Sequence, residues 1–321
     1  MMKFFGKCME CTILGAGVSG LSCAIKLLES NIDLKIISKE RSPNTVSDTA
    51  AAVWYPFLVK PVSKTDRWSV DTYYELIRLM ENYPSSGITM RKGREYLREI
   101  RKPPGWSGDI KHFRILESDE IPGEYIFGWE FEVPVIEMQK YMPWLESRVL
   151  SLGASIEEGS IHKIDDVSEN IVINCTGLGA RDMCNDMQLV PVRGQVIYLD
   201  QDPIIGHFDQ QKETLAYTIP RSDVTVLGGT AQRGDFTETP REEDSEEILR
   251  KCELMWPELD RDKIIGIGVG LRPSRDELRL EYENLNNKHI IHNYGHGGAG
   301  VTLSWGCATE VLHLLRLHMP S

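Results

Sequence analysis

The hydrophobic pattern near the N-terminus predicts a strand, a helix and a second strand. Residues 12–14 and 34–37 are short apolar runs, and the first of them ends at a glycine. Between them, residues 19–30 carry apolar side chains at the spacing that places them on one face of a helix. Two short apolar strands joined through such a helix form a βαβ unit, the building block of a parallel sheet.

The middle of the chain predicts two more helices and one buried strand. Helical spacing covers residues 71–82 and 134–152, and Pro143 should kink or break the second of these helices. The apolar run at 171–174 predicts a buried strand that ends at Cys175-Thr176-Gly177.

From residue 195 to 283 the pattern changes to short alternating runs, QVIYL, TLAYTI, VTVLGG and RLEYE, with turn signals between them. Such alternation is typical of antiparallel strands. One helix is expected in this stretch, around residues 244–255. Residues 290–293 then predict a strand, which is followed by a glycine-rich loop and a helix over 301–317.

The turn after the first strand has the spacing G-x-G-x-x-G. The first glycine of such a turn permits the tight bend, the second lets a pyrophosphate approach the backbone, and the third allows close helix–strand packing. The exposed amides and the positive end of the helix then bind phosphate. Because the hexapeptide follows a strand and opens a helix, it predicts a dinucleotide site. Its residues are Gly15, Ala16, Gly17, Val18, Ser19 and Gly20.

An acidic residue after the second strand would complete this fingerprint by binding the ribose hydroxyls. Glu40 lies 20 residues past Gly20, which is the expected distance. Lys39 directly precedes it at the end of the strand. The sequence therefore leaves both side chains open as the ribose contact.

Segments with the βαβ pattern at the start, middle and end of the chain enclose two stretches that lack this pattern. We therefore predict an α/β fold, α+β overall, in which an antiparallel-sheet domain is inserted into a Rossmann-like dinucleotide-binding domain. The dinucleotide-binding domain is expected to comprise residues 8–60, 145–195 and 286–321, and the inserted domain residues 61–144 and 196–285.

The charge of the chain restricts its partners. Its 321 residues carry a formal net charge of −12, which disfavours binding to nucleic-acid phosphates and to anionic membranes. No run approaches the ~18 apolar residues of a membrane helix. We therefore expect neither nucleic acid nor a membrane as a partner, although an acidic surface is compatible with a local positive pocket for an anionic substrate.

Cysteine usage and the two termini favour the cytoplasm. The seven cysteines are scattered, and we interpret them as reduced, mostly buried thiols. Cys8 and Cys11 have C-x-x-C spacing, but Cys11 lies in a predicted strand and no second pair follows, so we expect no redox or metal role. The N-terminus lacks the apolar core of a signal peptide. The final Met-Pro-Ser is not a clear peroxisomal signal, and a peroxisome stays open if the source is eukaryotic.

Three later features favour FAD over a nicotinamide cofactor. A run of small and hydroxyl residues, TVSDTAAAVW, covers 45–54 shortly after the second strand, and NCTG closes the strand at 171–174. The loop HNYGHGGAGVT at 292–302 is a second glycine turn that opens a helix. Its amides can neutralise negative charge that develops on a flavin ring.

At these residues the chain resembles the D-amino-acid oxidase / D-aspartate oxidase family over nearly its whole length. The matching blocks are SDTAAAVWYP, VINCTG, PVRGQV, YTIP, VTVLGG, GLRPSRDELRLE and HNYGHGGAGVTLSWGCA. The resemblance implies an FAD-binding α/β domain together with an antiparallel-sheet substrate domain, in agreement with the pattern.

The resemblance also implies roles for individual residues. Arg272 is similar to the arginine that binds the substrate carboxylate, Tyr217 to the tyrosine whose hydroxyl assists it, and the Gly298 carbonyl to the acceptor of the substrate amine. The implied flavin contacts are Thr45, Ser47, Ala51, Ala52, Val53, Ile164, Thr176, Gly297, Gly298, Gly300, Val301 and Thr302.

Strand parity is consistent with the role implied for Tyr217. Successive side chains of a strand point to opposite faces, so Tyr217 should share a face with Leu215 and Ile219. We therefore expect its ring on the apolar side of a hairpin.

Parity also separates Arg272 from the arginines that follow it. Arg272 shares the parity of Leu278 and Leu280, provided that the intervening proline keeps the register. An arginine on an apolar face needs an anion, which a substrate carboxylate would supply. Arg275 and Arg279 share the parity of glutamates, so we expect them on a solvated or salt-bridged face.

His289, His292 and His296 have the spacing H-x₂-H-x₃-H. A metal site with these ligands is conceivable, but the spacing spans a strand and a glycine turn rather than one helical face. We therefore expect no metal site.

The chemistry that the resemblance implies is oxidative deamination. Hydride leaves the substrate Cα for flavin N5, the imino acid hydrolyses to a 2-oxo acid and ammonia, and dioxygen reoxidises the flavin to give hydrogen peroxide. The protein then contributes positioning and electrostatics, so no side-chain base is expected.

The residue that follows Gly228-Gly229-Thr230 favours neutral D-amino acids as substrates. The aspartate-preferring branch resembles this block but carries an arginine next, where this chain has Ala231. Arg221 and Arg233 lie nearby in sequence, so a D-aspartate or D-glutamate oxidase stays open. Also open are a glycine- or sarcosine-type amine oxidase, a dehydrogenase with another electron acceptor, a non-catalytic sensor and a homo-oligomer.

Overall fold

The computed structural model describes residues 10–56, 59–211 and 213–319. The predicted N-terminal βαβ unit is confirmed as β1 (Glu10–Leu14), α1 (Val18–Leu28) and β2 (Asp33–Ser38), with β1 and β2 parallel. Cys8, one half of the C-x-x-C spacing, lies outside the described residues.

Twelve further strands follow in the described chain. They are β3 (Ile88–Leu97), β4 (Phe113–Ile115), β5 (Phe127–Ile136), β6 (Ser155–Glu158), β7 (Ile171–Asn174), β8 (Val190–Leu199), β9 (Gly206–Asp209), β10 (Ala216–Pro220), β11 (Thr225–Gly228), β12 (Gln232–Arg233), β13 (Ile264–Leu285) and β14 (Lys288–His296). The other α-helices are α2 (Val62–Asn82), α3 (Met138–Ser151), α4 (Ala180–Met183), α5 (Glu242–Met255) and α6 (Gly300–His318).

Within the described residues these strands join into one sheet of fourteen, in the order β4-β5-β3-β9-β10-β11-β8-β13-β14-β7-β1-β2-β6, with β12 paired to β8 beside this path. The pairs from β14 to β6 are all parallel. The pairs from β4 to β14 are antiparallel except β3 with β9. The predicted fold class is therefore confirmed, whereas the numbered domain boundaries stay a prediction.

The long strand β13 joins the two halves of the sheet. Its first part pairs with β8 in the antiparallel half, and its second part pairs with β14 in the parallel half. Ser274 is the residue at which the change occurs, because it pairs with Val190 of β8 and with His296 of β14. The backbone of one strand thus fixes the antiparallel half against the nucleotide half.

Helices α1, α2, α3 and α6 pack together, and their buried side chains belong to one core with those of β1 and β2. The closest crossing joins α2 to α6 at Gly306. A Cβ atom there would lie 2.2 Å from the Trp68 carbonyl oxygen. The Gly306 amide donates to the Thr72 hydroxyl over 2.9 Å, so the two helix backbones are nearly in contact.

Two predicted helices need correction. Residues 134–136 are the end of strand β5, where Val135 is buried and Pro134 pairs with Met90 of β3. The helix begins only at Met138, and Pro143 lies inside it without ending it. The neighbouring side chains on the buried face of α3 are fully enclosed in the core, and this burial offsets the one backbone hydrogen bond that a proline removes. Helix α2 starts nine residues before the predicted 71. Its first turns bury the polar Thr65 and Ser69 beside Trp68, so the apolar spacing there is too sparse to indicate a helix.

The cysteines of the described chain agree with the prediction of reduced thiols. Cys11, Cys23, Cys175, Cys184, Cys252 and Cys307 are free, and all except Cys184 are buried. Among the residues that the structure describes, no helix combines the length and apolar character that crossing a membrane requires.

The α2–α6 crossing gives a test of this packing. We expect Gly306→Ala to lower the free energy of unfolding by about 1–3 kcal/mol or more, because the added methyl group must push two helix backbones apart. Urea unfolding followed by circular dichroism measures the change. Gly108→Ala is the control, because a Cβ atom there meets nothing within 4 Å, and it should change stability by less than about 0.5 kcal/mol. Equal unfolding midpoints for both variants would contradict the close crossing.

Candidate functional site

A cavity of about 830 Å³ lies between the parallel and the antiparallel halves of the sheet. At one end it is lined by the G-x-G-x-x-G turn, and at the other by side chains of β8, β9, β10 and β13. This volume is in the range of small-molecule and cofactor sites. The site is therefore a continuous space with a phosphate-binding turn at one end and polar side chains of the inserted sheet at the other.

The glycine turn has the geometry that its spacing predicts. Gly15 has φ +100°, and a Cβ atom there would lie 2.5 Å from the Cys175 carbonyl oxygen. A Cβ atom at Gly20 would lie 1.9 Å from the Gly15 carbonyl oxygen, so Gly20 closes the contact between helix and strand. Among the described residues, Gly15, Ala16, Gly17, Val18 and Ser19 line the cavity and Gly20 does not. Gly20 thus acts in packing, the part expected of the third glycine.

Two serines hold the amides of the turn. Ala16 N–H donates to Ser38 Oγ and Val18 N–H donates to Ser47 Oγ, each over 3.0 Å. The Gly17 amide has no protein acceptor in the described part of the chain. An unsatisfied amide at the start of a helix is the donor that a pyrophosphate oxygen would accept from. The residues present therefore fit the phosphates of a dinucleotide.

Both candidate ribose contacts lie at the rim of this end. Lys39 and Glu40 line the cavity, and their side chains form an exposed ion pair at 3.5 Å. Ser38 Oγ donates to the Glu40 carbonyl over 2.6 Å, which fixes the backbone between strand and rim. The sequence missed the segment opposite, residues 159–162, which follows β6 and lines the same end. This segment carries no motif, so no pattern in the sequence could have identified it.

The run of small residues after β2 forms the middle of the cavity wall. Thr45 begins a single 3₁₀ turn, and its backbone and hydroxyl both donate to the buried carboxylate of Asp48. The wall residues of this run include Thr45, Ser47, Ala51, Ala52 and Val53. Their small side chains leave room for a flat ring system beside the backbone.

The second glycine loop lies directly after β14. Gly297 has φ +57°, and the chain then enters α6 at Gly300. Thr176, at the end of β7, donates through its hydroxyl to Asn174 over 2.7 Å and lies in the same wall. The loop residues that line the cavity are Gly297, Gly298, Gly300, Val301 and Thr302.

Ile164, like Gly20, is a predicted cofactor contact that does not line the cavity in the described structure. Its side chain is buried in a separate cluster with Leu14, Val172 and Ile290, and it is not among the described residues that line the cavity. The nearest lining residues are Ile161 and His162. The apolar side chain is therefore taken up by the core behind the sheet.

Arg272 lies over a glycine in the neighbouring strand. A Cβ atom at Gly194 would lie 2.1 Å from Arg272 Nη1, so only glycine leaves space for the guanidinium. Arg272 Nη1 donates to the Thr230 carbonyl over 2.8 Å, which anchors one side of the guanidinium group. The guanidinium lies in the cavity wall and forms no carboxylate contact in the described residues. Sequence reasoning missed Gly194, although a glycine inside a strand run indicates close approach of another group.

Tyr217, like Arg272, lies over a glycine of a neighbouring strand. Its ring covers Gly228, where a Cβ atom would lie 2.1 Å from the ring carbon Cζ. The ring is 9% exposed, and burial raises the pKa of the hydroxyl while the nearby Arg272 opposes this rise. Tyr217 is therefore a neutral hydroxyl donor at physiological pH. Leu215 and Ile219 line the cavity beside it, so the predicted strand parity is confirmed.

Arg275, Arg279 and His292 have partners outside the cavity. Arg275 pairs with Asp186 over 2.9 Å and Arg279 with Glu281 over 2.7 Å, which confirms the predicted salt-bridged face. His292 contacts Glu283 at 2.8 Å. Among the described residues, no group of three or more histidine, cysteine or acidic side chains is placed to hold a metal ion.

His296 is buried in the cavity wall, and its Nε2–H donates to Asn293 Oδ1 over 3.0 Å. Burial lowers the pKa of its imidazole to about 4. The ring is therefore neutral at physiological pH, and Arg272 is the permanent cation at the inserted-sheet end of the described wall.

Comparison with known proteins identifies the family. Residues 10–314 match the sequence profile of the family described as FAD dependent oxidoreductase. The D-amino-acid oxidase of Dictyostelium discoideum is 39% identical, over 96% of this chain and 92% of that protein. The D-amino-acid oxidase of Rubrobacter xylanophilus is 37% identical, over 94% of both chains.

A solved structure supports the fold independently. The crystal structure of glycine oxidase from Bacillus cereus superposes with a TM-score of 0.78, covering 97% of this chain and 96% of that one, at 18% identity. The glycine turn lies at one end of the cavity, and the half-buried Arg272 and the buried Tyr217 lie together at the other end. The relatives match this chain over nearly its full length. The chain belongs to the D-amino-acid oxidase family of FAD-dependent oxidoreductases.

Proposed function

We propose that this chain catalyses the FAD-dependent oxidative deamination of D-amino acids with neutral side chains. The observation that carries the proposal is the half-buried guanidinium of Arg272, which has no carboxylate partner among the described residues and lies beside the Tyr217 hydroxyl at the end of the cavity opposite the phosphate-binding turn. A cation in such a wall needs an anionic partner, and a substrate carboxylate provides it. The family supplies the cofactor and the class of reaction.

The substrate contacts follow from the donors and acceptors present. Arg272 keeps one side of its guanidinium on Thr230, and the remaining N–H groups bind the two carboxylate oxygens. Tyr217 donates its hydroxyl to the same carboxylate. The carbonyl of Gly298, in the wall formed by the second glycine loop, accepts a hydrogen bond from the substrate amine. Three contacts of this kind fix the orientation of the Cα–H bond.

The cofactor contacts follow the length of the cavity. The amides of the Gly15–Gly20 turn bind the pyrophosphate, and the walls around Thr45, Thr176 and the second glycine loop enclose the ring system. When bound, FAD supplies the acceptor for the hydride that leaves the substrate Cα. The residues of this chain bind, orient and exclude water, and no side-chain base is placed in the proposal.

The preference for neutral side chains rests on the arginines that do not reach the cavity. Arg221 is buried and held by Asp223 over 2.8 Å, while Arg233 is exposed and pairs with Asp276 over 3.2 Å. Neither arginine lines the described cavity. Ala231, the residue after Thr230, does line it. A second carboxylate on the substrate would therefore lack a cationic partner.

The proposal extends to the electron acceptor, the compartment and the domains. We infer that dioxygen reoxidises the flavin and that hydrogen peroxide is the second product. The buried free thiols favour a reducing compartment such as the cytoplasm. We assign cofactor binding to residues 8–60, 145–195 and 286–321 and substrate binding to 61–144 and 196–285, which is supported by the parallel and antiparallel halves of the sheet. A homo-oligomer is compatible with these assignments.

Anaerobic mixing tests the function itself. D-Alanine should bleach the visible flavin absorption of the purified protein, and readmission of air should restore it with release of hydrogen peroxide. L-Alanine and glycine serve as controls. At equal concentration D-aspartate should react at least about tenfold more slowly, because its second carboxylate has no cationic partner in the wall. A flavin that no D-amino acid bleaches would refute the proposal, and faster reaction with D-aspartate would refute the neutral preference.

Arg272→Ala should retain FAD and lose substrate binding. Losing a bidentate charged contact of about 3 kcal/mol predicts a fall in kcat/KM for D-alanine of at least about a hundredfold. The visible spectrum verifies that the cofactor is still bound. Wild-type turnover at low D-alanine concentration would show that the carboxylate binds elsewhere.

Gly194→Ala tests the placement of the arginine without removing it. The new methyl group would overlap the guanidinium and displace it from the carboxylate position. We expect KM for D-alanine to rise about tenfold or more while FAD stays bound. Gly266→Ala, on the neighbouring strand β13, is the control, since its Cβ meets only Tyr198 at 3.5 Å. If the two variants had the same KM, Gly194 would not set the position of Arg272.

A further inference from the structure

A row of side chains crosses five neighbouring strands and leads away from Arg272. Tyr217 of β10 pairs with Gly228 of β11 on one side and with Phe208 of β9 on the other. Phe208 in turn pairs with Glu95 of β3, and Glu95 pairs with Trp129 of β5. Directly paired residues project from the same face of a sheet. The acid Glu95 therefore lies on the same face as the proposed substrate tyrosine, two strands away.

Tyr55 covers this row from the adjoining loop. Its ring stacks on Phe208 with a centroid distance of 6.1 Å and an interplanar angle of 14°. Its hydroxyl donates to Glu95 Oε2, and Trp129 Nε1 donates to the same oxygen over 2.8 Å. Tyr55, Phe208 and Tyr217 all line the cavity. One continuous aromatic wall thus runs from Arg272 to Tyr55, with a carboxylate directly behind its far end.

Glu95 differs from Glu130, another buried acid of this region. Glu130, on β5, is held by Arg94 over 2.9 Å and by Arg114 over 3.1 Å. Glu95 is 4% exposed, and within the described residues it receives only the two neutral donors, with no ion pair to a basic side chain. Burying a carboxylate without a cation is costly, and acids that are kept in this state are concentrated at functional sites.

The groups around Glu95 set its protonation. Burial raises its pKa to about 7, and the hydrogen bonds from Tyr55 and Trp129 oppose the rise. Asp209, at the end of β9, raises the pKa further, whereas Arg101 lowers it, although Arg101 is itself paired with Glu99 over 2.5 Å. Above this pKa the Glu95 carboxylate behind the far end of the wall is negatively charged.

We propose that Glu95 is a positioning residue that determines substrate choice: it fixes the Tyr55 ring in the wall and places a negative charge behind the substrate side chain, which excludes D-amino acids with acidic side chains. This inference rests on the proposed function. With the substrate carboxylate on Arg272, the aromatic row leads from that point to Tyr55. A neutral side chain packs on the rings, whereas an anionic side chain approaches the Glu95 carboxylate across a wall of low dielectric.

The variant Glu95→Gln removes the charge and keeps an oxygen acceptor for Tyr55 and Trp129. We expect the ratio of kcat/KM for D-aspartate to that for D-alanine to rise about tenfold, mainly through KM for D-aspartate, while kcat for D-alanine changes less than about twofold. Glu132→Gln is the matched control, because Glu132 is a half-buried acid on β5 outside the cavity wall. It removes the same unit of charge and should leave the ratio unchanged.

A binding measurement separates this inference from the proposed function. Propionate and succinate lack the amine and are not oxidised, so their affinities can be measured from the perturbation of the flavin spectrum whether or not the protein turns over D-amino acids. The ratio of succinate to propionate affinity should rise about tenfold in Glu95→Gln and stay constant in Glu132→Gln. An unchanged ratio in Glu95→Gln would overturn the role of Glu95, whereas a protein that fails only to oxidise D-alanine would overturn the proposed function.

The wild-type protein provides a test that does not depend on the fold of a variant. Protonation of Glu95 removes the charge, so the relative affinity for succinate should fall as pH rises through about 7. The same ratio should not vary across this pH range in Glu95→Gln. A wild-type ratio that is flat from one pH unit below to one above this pKa would overturn the inference.

Discussion

The arrangement of the whole site depends on strand β13, which belongs to both halves of the sheet. Its backbone pairs with β8 up to Ser274 and with β14 from there on. Arg272 lies two residues before this change of partner, so its side chain shares a face with Ser274 and reaches the cavity between the halves. The loop after β14 carries the second glycine turn to the same place. A continuous strand therefore fixes the position of Arg272 relative to the second glycine loop, as a flexible linker could not.

Glycines also shape the site, because they leave the space in which two large polar side chains lie flat on the sheet. Arg272 occupies the space above Gly194, and Tyr217 occupies the space above Gly228. Any side chain at these two positions would lift the polar groups into the cavity. Arg193 directly precedes Gly194 on β8, and its side chain projects from the opposite face of the sheet. It is fully buried and pairs with Asp244 of α5 over 2.6 Å. The same strand thus anchors a helix on one face and lines the cavity on the other.

Local pairing explains how an acidic protein can bind an anionic substrate. The formal net charge is −12, yet the arginines near the site are held by carboxylates, as in Arg221 with Asp223 and Arg275 with Asp186. Arg272 instead uses a backbone carbonyl as its anchor and keeps its charge for a ligand. Glu95 is the converse case, an acid at the far end of the same wall that has no basic partner in the described part of the chain. The position of these two unpaired charges matters more for binding than the net charge of the surface.

The sequence by itself determined the βαβ unit, the phosphate-binding turn and, through resemblance, Arg272 and Tyr217, because local spacing and strand parity fix which residues face together. It could not place Glu95, Tyr55 or Gly194 in the site, since their neighbours are separated by tens of residues and no short motif records cross-strand register. The sequence left open whether Pro143 would kink or break its helix, and the helix continues through it because burial of a whole helix face outweighs one missing hydrogen bond. The tertiary structure alone decided these points, through the pairing of distant strands around β13.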